Sequence, residues 1–206
     1  MNNKSVVIGG VIGLVLGLVI SPMFFQGAGY RGGMMNNGVV SNNQIMGNID
    51  EHFIEQMIPH HESAITMANL ASTKAEHKEI KELSQNIITS QTLEINQMKE
   101  WYKQWFGKDV PEVNGGMAGG HMSGGGMMNM GMMGDQSDMT NLQNAKPFDK
   151  AFIEEMIPHH QMAVMMAEML ENSTTRPEMK KLAQDIITAQ TKEINQMREW
   201  YKTWYK

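Results

Sequence analysis

The chain has no cysteine, which excludes disulfides, zinc–thiolate sites, iron–sulfur clusters and covalent haem attachment through C-x-x-C-H. It also has no clustered face of Lys and Arg, and its formal charge is −5. A nucleic-acid partner needs a basic footprint, so none is expected. No nucleophile set of the Ser/His/Asp or Cys/His kind stands out, and no glycine loop suited to phosphate, so the sequence does not read as an enzyme. Only one long apolar run occurs, at the N-terminus. Methionine, in contrast, is abundant: 23 of 206 residues, more than core filling requires.

Composition divides the chain into an N-terminal membrane anchor or signal segment (1–28), a flexible Gly/Met-rich linker (29–47), a first helical hairpin (48–107), a Gly/Met-rich crossover linker (108–146) and a second hairpin (147–206). Val6 to Phe25 are almost wholly apolar, enough to span a membrane as a helix. Lys4 ahead of the run favours a cytoplasmic N-terminus with the rest of the chain outside, while Arg31 counts the other way. A small-x-small cleavage pattern is poor here, which favours an uncleaved anchor over a cleaved signal. The expected location is the periplasmic side of a bacterial inner membrane, or the periplasm or medium if the segment is removed. Gly9, Gly13 and Gly17 have the spacing that lets two membrane helices approach closely, so a homodimer through them is compatible with the sequence, although glycine is common in such spans.

Shifted by 99 residues, Asp50–Phe106 matches Asp149–Tyr205 without a gap, with 31 of 57 positions identical. That identity is the mark of an internal repeat. Shared strings are F-I-E-x-M-I-P-H-H at Phe53–His61 and Phe152–His160, E-I-N-Q-M at Glu94–Met98 and Glu193–Met197, and W-Y-K-x-W at Trp101–Trp105 and Trp200–Trp204. Each copy reads as two helices. In the first, Phe53, Met57, His60, His61, Ala64, Met67, Ala68 and Ala71 fall on one side at the helical period, and Glu51, Glu55, Glu62, Thr66 and Asn69 on the other. In the second, Leu83, Ile87, Gln91, Glu94, Met98, Trp101 and Trp105 form one stripe. Asp50 and Asp149 suit N-cap positions, and Thr175-x-x-Glu178 around Pro177 reads as a capping box. Short connections force each pair antiparallel, and two hairpins face to face make an all-α four-helix bundle.

Pro59 and Pro158 precede the His-His pairs. A kink there would free the carbonyls of Glu55 and Glu154 and turn the histidines to the bundle axis; alternatively each proline starts a new helix. Met57, His60, His61 and Met67 share the inner face, as do Met156, His159, His160 and Met166, with Met98 and Met197 pointing inward from the partner helices. Thioether sulfur is a soft ligand and imidazole an intermediate one, a set that suits copper(I) and disfavours magnesium, calcium and manganese. Plain core packing is the competing explanation for each of these residues. Glu94 and Glu193 lie on the inner stripe beside Met98 and Met197, placed to accept the second ring N–H of a ligand histidine. Within the linker, His121-Met122 and the methionines from Met117 to Met133 lie among glycines, a disordered stretch able to capture soft ions. Met34-Met35 is a weaker instance. Met162, Met165 and Met169 replace Ser63, Thr66 and Leu70 of the first copy and add thioethers to the outer face of the helix, with packing against the linker as the competing explanation.

The M-I-P-H-H strings, followed by Q-x-x-E-I-x-Q-M, make the chain resemble the bacterial family catalogued as domain of unknown function 305, over both hairpins but not the anchor or linker. The resemblance implies a ferritin-like bundle that binds copper(I) and silver(I) in metal tolerance. By matching position it implies His60, His61, Met57, Met67 and Met98, and His159, His160, Met156, Met166 and Met197, as ligands. Two other functions compete: a ferritin-like di-iron oxidase, and a bundle holding non-covalent haem. Di-iron sites need Glu-x-x-His, and here Met57 stands where that glutamate would be.

Overall fold

The computed structural model describes the backbone of residues 42–111 and 136–206, with side chains from 49 and from 139 in the respective segments. The expected anchor, the Gly9/Gly13/Gly17 contact, Met34-Met35, and His121, Met122 and their neighbouring linker methionines lie outside the described residues. Among the described residues no helix is long and apolar enough to cross a membrane.

All described elements are helices: α1 Asn42–Lys74, α2 Lys78–Phe106, α3 Gln136–Asn144, α4 Phe148–Ser173 and α5 Pro177–Tyr205. Helices α1 and α2 are joined by residues 75–77, and α4 and α5 by 174–176. The Tyr102 hydroxyl donates to Glu55 at 2.5 Å, with Glu51 3.2 Å away, and the Tyr201 hydroxyl donates to Glu154 at 2.6 Å. Late residues of the second helix thus meet early residues of the first, which fixes an antiparallel register shared by the two hairpins. The hairpins pack through α1 against α4.

Two apolar clusters fill the bundle. One joins Phe53, Ile54, Met57, Ile58, Ile95, Met98 and Tyr102 of the first hairpin to Ala163, Ala167, Leu170, Met179, Leu182, Ala183 and Ile186 of the second. The other joins Ala64, Met67, Ala68, Ala71, Ile80, Leu83 and Ile87 to Phe148, Phe152, Ile153, Met156 and Met197. The start of α1 therefore packs with the end of α4, and the reverse. Each helix passes from one cluster to the other through its middle, and there the buried residues turn polar: His60, His61 and Gln91, and His159, His160 and Gln190. Burying a side chain such as Leu, Ile or Met contributes about 1.5–3 kcal/mol.

Several local expectations are corrected. Asp50 lies inside α1, which begins at Asn42, and Asp149 is the second residue of α4 after the N-cap Pro147, so neither caps its own helix. Asp149 instead reaches across to the other hairpin, accepting from the backbone N–H of Glu76 (3.0 Å) and of His77 (2.8 Å) and from His77 Nδ1 (2.7 Å) at the start of α2. Those N–H groups have no partner within their own helix, and a buried carboxylate at a helix N-terminus also complements its dipole. His77 stacks on Trp204, with centroids 3.7 Å apart. At the matching positions of the other end, Asp50 pairs with Arg176 Nε at 3.1 Å, and that guanidinium lies 4.2 Å over Trp105. The capping box at Thr175 is not formed: the N-cap of α5 is Arg176, with no side-chain cap, and Pro177 is at N1. The crossover linker is not featureless to its end, because it contains α3, whose Leu142 is buried in the second cluster.

Candidate metal centre

His60 and His61 are buried at 7% and 0% exposure, His159 and His160 at 1% and 0%. Two adjacent histidines on one helix point about 100° apart, so they serve different neighbours. His60 and His159 face each other between α1 and α4, ring centroids 3.8 Å apart and planes tilted by 42°. His61 and His160 turn toward the partner helices. His61 Nε2–H donates to Glu94 Oε2 at 2.6 Å, and His160 Nε2–H to Glu193 Oε2 at 2.6 Å.

A carboxylate only accepts, so each of these Nε2 atoms carries the hydrogen, and in the neutral ring the Nδ1 atom is left with a lone pair. Those Nδ1 atoms are buried without a protein partner, as are both ring nitrogens of His60 and of His159. Six unpaired ring nitrogens in one layer is a costly arrangement, since a buried polar atom left without a partner costs about 1–3 kcal/mol. Burial first, and then the neighbouring histidines, hold His60 down to about 3 and His159 down to about 2, so both rings are neutral and present lone pairs. Neutral rings at His60 and His159, and rings at His61 and His160 oriented by a carboxylate through the far nitrogen, match what a metal ion requires of histidine.

The helix through Pro59 is continuous, and so is the helix through Pro158. Neither proline begins a new helix. Because proline has no N–H, the carbonyls of Glu55 and Glu154 lose their usual partner one turn before the histidines.

The methionines are divided between the clusters on either side. Met57 and Met98 are fully buried in the first, and Met156 and Met197 in the second, Met57 and Met156 one turn before His60 and His159. Met67 is buried at 4% exposure but seven positions, about 10 Å along the helix, from His60. Its counterpart Met166 is only partly buried, against the first cluster. The structure thus gathers the four histidines with Glu94 and Glu193, sets four methionines one layer away, and leaves Met67 and Met166 at the margin.

Gln91 and Gln190 were given no role by the sequence reading, yet both are buried at 3% exposure in the histidine layer with Oε1 unpaired. Each lies one turn before Glu94 or Glu193, and the signal was the Q-x-x-E spacing present in both copies. Trp101 and Trp200, in contrast, are half-exposed rim residues, stacked on Trp105 and Trp204. Among the described residues no three His, Asp or Glu side chains are grouped so as to hold a metal ion, and the layer consists of the pairs His60–His159, His61–Glu94 and His160–Glu193.

The sequence matches the family described as Domain of unknown function (DUF305) over residues 50–201. Among solved structures, CopM in the Cu(I)-bound form is 48% identical, covering 76% of this chain and 98% of its own, with a TM-score of 0.64. CopM in a silver-bound form obtained by co-crystallisation is 47% identical over 76% and 98% of the two chains, with a TM-score of 0.62. A curated relative, the uncharacterized protein L153 of Acanthamoeba polyphaga mimivirus, is 49% identical over 49 residues, 24% of this chain and 32% of that protein. The chain therefore spans about a third of that relative's length.

Proposed function

The chain belongs to the family described as Domain of unknown function (DUF305), and on that footing we propose that its buried histidine layer binds soft monovalent metal ions, copper(I) first and silver(I) beside it. The observation that carries this reading is the set of unpaired ring nitrogens on His60, His61, His159 and His160, with Glu94 and Glu193 behind two of them. Nitrogen donors that are neutral, nearly dry and flanked by the thioethers of Met57, Met98, Met156 and Met197 suit a soft ion of low charge. A divalent hard ion would ask for oxygen ligands around it. The two glutamates supply negative charge across the imidazole rings from the free Nδ1 atoms, which balances cations taken into a low-dielectric layer. That CopM has been solved with Cu(I) and with silver supports the same chemistry here.

The role is non-catalytic: copper tolerance by buffering or delivery, with more than one ion per chain. We place it outside the cytoplasm, tethered by the apolar run Val6–Phe25, which rests on the sequence alone. The linker His121 and Met122 with their neighbours collect ions for the bundle in this reading. The other alternative, a non-covalent haem held by one His and one Met, would give the purified protein a Soret band.

Anaerobic titration of the full chain with copper(I), in competition with a chromophoric chelator, tests the proposal. The wild type withholds copper(I) from the chelator, and His60→Ala/His159→Ala loses the tightest-bound ions. Retention of iron(II) with indifference to copper(I) would replace this reading with the oxidase.

A further inference from the structure

The outer flank of α4 holds a second concentration of sulfur that the histidine layer does not use. Met162, Met165, Met166 and Met169 are spaced so that each lies three or four positions from two of the others. On a helix such neighbours have Cβ atoms about 5–6 Å apart and share one face. At about 100° per residue the four span an arc of roughly 100°, which continues round the helix from His159. His159 is buried, the nearer Met166 and Met162 are half-buried, and the farther Met169 and Met165 are 57% and 43% exposed.

Two exposed methionines on one helix face are poor packing residues, since their apolar surface faces water. The corresponding positions of α1 are Ser63, Thr66, Met67 and Leu70, only one of them sulfur-bearing. Three thioethers therefore stand on one copy alone. Long unbranched methionine side chains can swing their sulfur atoms together at little rotamer cost. Neutral thioethers alone favour soft ions such as copper(I) over magnesium and calcium.

We propose that Met162, Met165, Met166 and Met169 form a surface site for copper(I) or silver(I), separate from the buried histidines. It does not require the histidine reading to hold, and its test separates the two.

The full chain, labelled with carbon-13 at methionine methyl groups and assigned through single substitutions, is titrated with silver(I). The four methyl resonances are expected to move together along one saturation curve. Met162→Ser/Met165→Thr/Met169→Leu, which restores the first copy's residues, lowers bound silver by one ion per chain with helicity unchanged. The milder Met165→Thr/Met169→Leu gives the same loss if the triple variant folds poorly. His60→Ala/His159→Ala leaves the four shifts in place. Four methyls that stay still while histidine resonances respond would overturn the site, as would Met165 and Met169 titrating independently of each other.

Discussion

His60 and His159, at the same place in the two sequence repeats, meet ring to ring in the middle of the bundle with centroids 3.8 Å apart. Neither ring has a protein hydrogen-bond partner, and each would repel the other if charged. Their neutrality has a measurable consequence in the metal-free protein.

Burial holds His60 to about 3 and His159 to about 2, against an ordinary value of 6.5. As pH falls below 6.5 the unfolded chain takes up protons at these residues and the folded chain does not. Their penalty is absent above about pH 6.5 and grows as pH falls toward the folded values. Linkage gives about 2 kcal/mol lost per histidine between pH 7 and pH 5. Urea denaturation of the metal-free protein at the two pH values checks this, and His60→Gln/His159→Gln should flatten the difference.

Removing the carboxylate behind a ligand histidine weakens its metal. Glu94→Ala or Glu193→Ala should lower copper(I) affinity about 10–100-fold, with Glu→Gln, which keeps an acceptor for Nε2–H, at the low end. Chelator competition reads the change, while circular dichroism should show the helices intact.

Binding to the folded state alone stabilises it by about 2.7 kcal/mol at a hundredfold excess over Kd. For a chain of this size that raises Tm by about 5–10 °C. Thermal scans with and without silver(I) should show the rise in the wild type and none from the histidine layer in His60→Ala/His159→Ala.

Asp149→Ala removes the acceptor for the Glu76 and His77 N–H groups and for the His77 ring. A loss of about 2–3 kcal/mol is expected, and Asp149→Asn should lie between the two. Metal stoichiometry should not change, because this contact lies at the end of the bundle and away from the histidines.

The hairpins, their inner faces and a glutamate placed behind a ligand histidine were readable in the sequence because each is periodic: a helix repeats its facing residues every three or four positions, and the whole unit recurs 99 residues on. Asp149 was misread as a local cap because its partners, Glu76 and His77, belong to the other hairpin, and no local spacing encodes that contact. Helix α3 was missed because nine polar-rich residues with one anchoring Leu142 carry no period to detect. The meeting of His60 with His159 depends on how α1 crosses α4, which no single-helix pattern specifies. Gln91 was placed on the inner stripe by its period, but period alone does not distinguish a buried amide from one at the rim. The difference between Met67 and Met166 was hidden because the two positions are identical in sequence and differ only in what packs over them.

The most direct test reads the ring nitrogens themselves. Nitrogen-15 histidine spectra of the full chain are recorded before and after silver(I) or copper(I), both of which are diamagnetic. The account predicts large shifts at the Nδ1 atoms of His61 and His160 and at one nitrogen each of His60 and His159, with Nε2 of His61 and His160 still protonated toward Glu94 and Glu193. Metal uptake that leaves all of these nitrogens unmoved would contradict it.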